Sequence, residues 1–347
     1  MNRILKTSSI VFLTIFILTL TINKTELINI EEFYSDFYLI WYALLSNTVI
    51  FLKISVGDLI YILFPLFVII YFFKIERRRD RFYFIIKIPI IVYCLFYWSW
   101  GFNYNKKSEF ELLKTNVYSI EDLYSTTEHY IKKTNDLQMK ISKSKEKKVE
   151  SNLMFTDIKN ECIKSIKNSD WIFEKNKIYS FPVKKSIFST PLSYMGFSGY
   201  INPFTLEANI NYNIPDISIP VTISHEIAHQ IGYAFEDEAN YIAIETLSKS
   251  KNNYLRYSGN LMAVQYLLGE IKKTDNEIQK RYINKLNAGV IKNIQDKKEY
   301  YLKYQNKYES FFEKNYDIFL KNNNQKAGIN TYSLVVDLLI NNYQSKI

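Results

Sequence analysis

The sequence predicts an α+β fold, mostly α, with three transmembrane helices at the N-terminus and an extracytoplasmic domain behind them. Uncharged apolar runs crowd into the first hundred residues. Apolar residues three and four apart dominate from Ser119 onward, except between Tyr179 and Ile219, where prolines, glycines and strand-favouring Ile, Phe, Tyr and Thr suggest short strands and turns. With 347 residues, 48% of them hydrophobic, the chain allows about two units and is far from a disordered composition. Nine glycines and seven prolines exclude collagen-like and linker-rich architectures, and two cysteines exclude a disulfide scaffold. The net charge is +9, and no nucleic-acid partner is expected.

The first span is placed at about 7–23, TSSIVFLTIFILTLTIN, which carries no charge and just reaches the lower length for a spanning helix. It follows the basic start MNRILK without a small-residue cleavage pattern, so a retained anchor is expected. The second span, about 57–75, contains the apolar run Leu59 to Phe73. The third, about 84–102, has Lys87 near one end and Trp98 and Trp100 near the other, in the pattern of an aromatic belt.

A rival run, Phe37 to Leu52, is decided by charge. The loop KIERRRDR holds five basic residues and two acids, and the N-terminus carries Arg3 and Lys6. Both belong in the cytoplasm by the positive-inside rule, so an even number of crossings separates them. Phe37 to Leu52 is therefore expected to lie on the outer surface or to re-enter, within an outer loop 24–56 that also carries Glu26, Glu31, Glu32 and Asp36. Residues 1–104 then form a multi-pass anchor in a bacterial cell membrane, and 105–347 an outer domain. The lipid bilayer is the first partner this implies.

In that domain, helical patterns cover about 119–168, with the basic run Lys140 to Lys148 expected as a solvated helix face. Short strands follow. Helices are expected again at Val221 to Ile231, Glu236 to Ser248, Tyr254 to Ile271, Asn276 to Ile294, through a charged segment to Leu320, and at Tyr332 to Tyr343. Cys94 and Cys162 are too differently placed to form an internal bridge.

Chemistry concentrates at HEIAH, which uses two of the three histidines in the chain. On a helix His225 and His229 lie one turn apart on one face, so both imidazoles can reach one zinc ion, with Glu226 beside the open coordination position. Thr222 and Ser224 are expected near the helix start, Ile223, Ile227 and Ala228 on its apolar back, and Gly232 at its end. Beyond lies YAFEDEANYIA, where Glu236, or alternatively Glu238, is placed to return a third ligand. The E-x-x-A-N spacing resembles an element of glutamate-type zincins and favours Glu236. Asn240 would then orient a metal-bound histidine. His129, on a charged helix, is expected to be exposed and without a role. Tyr254 and Tyr257 are expected to pack rather than to stabilise an oxyanion, given 29 tyrosines in the chain. The polar flanks of HEIAH exclude a site on a spanning helix.

These segments also resemble a family of bacterial membrane proteins, domain-of-unknown-function family 3810. The resemblance covers nearly the whole chain: IEEFYSDFY, SVGDLIY, WGFNYNK, SGYINPFTLEANIN, IPVTISHEIAHQIGYAFEDEANYIA, YLRYSGNLMAVQY and NNQKAGINTYSLVVDLL. The central block is the most specific. It is similar to zincin metallopeptidases and implies a zincin-like domain, zinc and hydrolysis without naming a substrate. Ile231 and Phe235 stand where basic residues are common, which leaves the ligands untouched.

The expected function is that of a membrane-anchored zinc-dependent metallopeptidase. Zn²⁺ is held by His225, His229 and Glu236, Glu226 is the general base, and the substrate is a peptide or protein. TLEANIN, residues 205–211, is expected to offer an edge strand to that peptide. The rival from another class is a non-catalytic zinc-binding membrane sensor or scaffold. A transporter component is disfavoured by the lack of acids or histidines at bilayer depth.

Overall fold

The computed structural model describes residues 13–23, 31–115, 117–169, 180–328 and 334–346. It is α+β and mostly helical. The chain opens with α1 (Leu13–Asn23), α2 (Glu31–Val49), α3 (Val56–Lys74) and α4 (Arg78–Ser99), then a 3-10 turn (Gly101–Asn105). Helices α5 (Glu111–Thr115), α6 (Ile120–Ser142) and α7 (Phe155–Lys167) follow. Next come β1 (Val183–Lys185), α8 (Ser189–Met195), β2 (Gly199–Ile201) and β3 (Ala208–Ile210). The rest is helical: α9 (Ile219–Ile231), α10 (Glu236–Ser248), α11 (Asn253–Thr274), α12 (Asn276–Ile283), α13 (Ala288–Tyr304), α14 (Glu309–Asn322) and α15 (Val335–Gln344).

Among the described residues two helices, α3 and α4, are long and apolar enough to cross a membrane, not three. Helix α1 is apolar, but eleven residues at about 1.5 Å each cover only about half of a ~30 Å hydrocarbon core. Residues 7–12 of the expected first span lie outside the described residues. The described part packs on α4: the Trp98 indole N–H donates to Thr19 Oγ1 at 3.0 Å, and Asn23 Nδ2 donates to Tyr93 Oη at 3.3 Å.

The run Phe37 to Leu52 is largely helix α2, and its tyrosines decide its place. Tyr34, Tyr38 and Tyr42, four residues apart, form one fully buried face. Tyr38 donates to the carbonyl of Gln230, and Tyr42 to that of Ser180, so α2 is part of the core. Phe33, Ile40 and Leu44 on the opposite face are exposed. The aromatic-belt expectation fails for Trp100, which is 3% exposed, and the helix of the expected third span ends at Ser99, short of Phe102, which is fully buried in the 3-10 turn.

Helix α3 is tied to the sheet through two buried carboxylates. Glu207, in the loop before β3, accepts from the backbone N–H groups of Val56 and Gly57 at 3.2 and 2.7 Å and from Ser55 Oγ at 3.3 Å. A carboxylate there satisfies free helix N–H groups and complements the helix dipole. Asp58 accepts from the Ile187 N–H at 2.7 Å and from the hydroxyl of Tyr200 on β2.

The sheet has the order β1-β3-β2, with β1 parallel to β3 and β2 antiparallel to it, Gly199 opposite Ile210. TLEANIN therefore supplies the central strand rather than an edge. Ala208, Asn209 and Ile210 are fully buried, and β1 and β2 are the edge strands instead.

Helix α9 packs against β2, β3, α7, α10 and α11, with Ile223, Ile227 and Ala228 completely buried behind it. It begins at Ile219 with Pro220 in its first turn, earlier than the polar residues suggest. Thr222 does not cap it but bonds back to the Ser218 carbonyl at 3.0 Å. Gly232, at φ +107°, ends it in a conformation that a side chain would strain. Helix α10 is buried from Glu236 to Leu247.

Three further expectations change. The helix expected over Asn276 to Ile294 is two helices, because the chain turns at Asn284–Asn287, where Asn287 and Asn135 bond to each other. The basic run leaves α6 at Lys143, φ 58°, and folds as a loop onto α13, where Lys148 pairs with Asp296. His129 is half-buried against Tyr343, with ring centroids 4.4 Å apart, rather than exposed.

Candidate metal centre

The turn after Gly232 reverses the chain so that the first residue of α10 faces the middle of α9. His225 and His229, one helical turn apart, put their Nε2 atoms 3.1 Å from each other. Glu236 Oε2 lies 3.3 Å from His225 Nε2, and its Oε1 lies 3.7 Å from His229 Nε2. One ligand atom from each of the three residues falls within 4.8 Å of the others.

Each donor is fixed from behind. His225 Nδ1 meets Asn240 Oδ1 at 2.9 Å, and His229 Nδ1 meets the Tyr233 carbonyl at 2.7 Å, so both rings carry Nδ1–H and turn Nε2 toward Glu236. The Trp100 indole packs edge-on to His229 and donates to its backbone carbonyl at 3.1 Å. Tyr316, on α14, donates to Glu236 Oε1 at 2.6 Å, and the Glu236 N–H reaches Gln325 Oε1 at 3.3 Å.

The charges follow from these contacts. Burial pushes the Glu236 carboxyl up, but the His225 bond, both imidazoles and Tyr316 outweigh it and hold the group well below the usual carboxylate range. Burial pushes His225 down, while Glu236, Glu226 and Asn240 outweigh it and raise it. His229 is lowered to about 4, by burial and then by the neighbouring His225. At neutral pH Glu236 is thus anionic and His229 neutral, the forms that ligate a metal, while His225 holds a proton more tightly than a free imidazole does.

Glu226 stands beside the trio, 4% exposed, and its Oε2 has no hydrogen-bond partner. Burial pushes its carboxyl up to about 8, against the pull of His225. Its other oxygen lies close to Gly199 on β2: a methyl carbon there would stand 2.9 Å from Glu226 Oε1 and 3.0 Å from Thr222 Cγ2. Both carboxylates and both histidines line a cleft of about 1660 Å³, walled by the β2 edge, α4, α8, α13 and α14.

A model of the family described as protein of unknown function DUF3810 matches residues 33–340. The chain belongs to DUF3810. No curated protein and no solved structure matches it.

In this DUF3810 protein the other acid weighed at the site, Glu238, points elsewhere. It pairs with Lys114 at 2.8 Å, as does its neighbour Asp237. Tyr254 and Tyr257 are buried outside the cleft, with Tyr257 donating to Asn293 at 2.9 Å. His129 is also outside it.

Several cleft residues carry no local sequence signal. Trp100 and Tyr316 reach the histidines and Glu236 from 129 and 80 residues away in sequence. Lys297 lies in the wall, donating to Gln265 Oε1 at 2.6 Å, and burial lowers its amine to about 8. Gly199, at the start of β2, is separated from the helix that carries Glu226 by β3 and the loops on either side of it.

Proposed function

We propose that this protein is a membrane-anchored zinc metallopeptidase whose domain faces away from the cytoplasm. One observation carries the proposal above the rest: a three-residue N,N,O donor set sits beside a buried carboxylate with an unpartnered oxygen, and both open into a large cleft. A closed structural site has no use for such a carboxylate or for the cleft, which disfavours a sensor or scaffold. The donors fit zinc, since two neutral imidazoles and one carboxylate match known catalytic ligand sets. The similarity of HEIAH and EDEAN to zincin segments adds to this.

His225 Nε2, His229 Nε2 and a Glu236 oxygen would hold the ion. When bound, zinc supplies Lewis acidity, polarising the scissile carbonyl and lowering the pKa of water toward about 7. Glu226 takes a proton from the attacking water with its free oxygen and hands it to the leaving amine. The charge of a bound ion would favour the ionised carboxylate that the first half needs, and its raised affinity for a proton strengthens it as a base. The β2 edge beside it holds the substrate chain extended, by adding a strand to the sheet. Asn240 and the Tyr233 carbonyl keep the histidines from turning.

The test is Glu226→Gln in the full chain, purified in detergent and loaded with zinc. Wild type and variant are incubated with a peptide digest of bacterial membrane proteins, and new termini are read by mass spectrometry. The variant should bind zinc like wild type and generate no new termini. Identical termini from both proteins would remove Glu226 from the chemistry.

A further inference from the structure

We propose, resting on the metallopeptidase reading, that the substrates are polypeptides anchored in the bilayer, and that the anchor reaches the cleft sideways between α3 and α4. The cleft does not stop at the domain. Pro89, Val92, Tyr93 and Phe96, with Trp100 just past the helix end, line it on successive turns, so one face of α4 forms its wall. That stripe ends at Trp100, which touches His229. From Ser99 back to Pro89 the helix falls by about 15 Å, roughly half the depth of a hydrocarbon core. The wall of the metal site thus continues to mid-bilayer depth if α4 spans the membrane.

The two apolar helices leave a slot for it. The ring contacts joining them lie at the loop end: Tyr71 against Phe84 at 5.2 Å, and Arg81 over Phe72 at 5.4 Å. Toward the domain they hold opposite sides. Tyr61 of α3 stacks on Tyr200 at 6.0 Å and meets Phe204, on the β2 side of the cleft. Phe96 of α4 packs on Phe319 of α14 at 6.1 Å, on the other side. Tyr61 and Phe96 line the same cleft. Between them an apolar segment can pass without leaving the bilayer, while Leu95, on another face of α4, is 54% exposed.

The occupant is a polypeptide rather than a lipid because the slot leads to a strand edge. Beside Glu226 the cleft wall is Ser198 to Ile201, backbone of the unpaired edge of β2, which recognises another extended chain. A tethered chain also gains effective concentration at the site without further contacts.

The experiment has two readouts in vesicles of phosphatidylethanolamine and phosphatidylglycerol. First, the photo-crosslinker p-benzoylphenylalanine replaces Val92 or, for comparison, Leu95 in the full chain. Lipid adducts at both positions are expected. Adducts at Leu95 alone would show a slot closed to the bilayer and overturn the proposal whatever the catalytic outcome. Second, one peptide mixture is supplied with and without a palmitoyl chain at either end. Tethered peptides should be cut about tenfold faster. Val92→Trp, which fills the slot, should bring that ratio to one, and Leu95→Trp should preserve it. Equal cutting of both mixtures by wild type overturns the tethered-substrate proposal and leaves the peptidase standing. Lipid adducts at Val92 with no cutting of either mixture overturn the peptidase, and this proposal with it.

Discussion

His225, Glu226, His229 and Glu236 do their work through contacts of two kinds, one written in local spacing and one supplied from far along the chain. The i, i+4 histidines and the glutamate seven residues beyond His229 are legible because a helix, a glycine stop and a second helix are all local events. Tyr316 and Lys297 carry no local mark among 29 tyrosines and 44 basic residues, and the apolar run before Trp100 makes it read as a membrane-belt residue rather than as a neighbour of His229. The electrostatics of the trio give a pH dependence with a definite sign. His225, raised above its ordinary value, must lose its proton before it can ligate, whereas Glu236 and His229 are already in ligating forms. Zinc affinity should therefore fall as pH is lowered and protons compete for His225. It should level off at high pH once the ring is neutral. Competition titration against a chelator across pH 5.5 to about 8.5 checks this; an affinity flat over that range would contradict the assignment of the proton to His225.

Strand β2 and helix α2 show where periodicity reads well and where it misleads. The change of texture over Tyr179 to Ile219 correctly announces strands, but composition cannot say which of three short strands sits in the middle. The pairing puts Ala208–Ile210 there and leaves Gly199–Ile201 at the edge facing Glu226. Gly199 is then needed for its missing side chain: at 2.9 Å an added methyl group would push the Glu226 carboxylate aside. Gly199→Ala should bind zinc as wild type does but lose about tenfold or more in turnover, because a small displacement of a proton-transfer group is expensive. Metal content together with the cleavage rate would decide it; unchanged turnover would separate the β2 edge from the chemistry. In α2 the apolar run masks a tyrosine stripe whose hydroxyls need partners, and Tyr38 and Tyr42 find them on the backbone of the domain. Charge argued against a crossing there without revealing that one face of the helix is core.

For the molecule as a whole, the two apolar helices are joined to the rest of the fold by specific contacts. Glu207 and Asp58 fasten the first turn of α3 to the sheet, and Trp100, one residue past α4, holds His229. Movement of the apolar helices would therefore reach the site directly. The proposed orientation rests on the basic loop between α3 and α4, and labelling can test it, because Cys94 and Cys162 are both buried. A cysteine at Lys132, 82% exposed on α6, should react with an impermeant maleimide added to intact cells, and one at Arg79, 74% exposed beside the loop, should react only after lysis. The reverse pattern would place the domain in the cytoplasm. The decisive measurement is zinc per chain in the purified full-length protein beside Glu236→Ala and Glu238→Ala. One zinc should be present in wild type, absent in Glu236→Ala and retained in Glu238→Ala, whose lost carboxylate only frees Lys114 to pair with Asp237 alone. A wild type without zinc after metal supplementation, or zinc lost from Glu238→Ala and kept by Glu236→Ala, would contradict the metal centre on which the proposed chemistry depends.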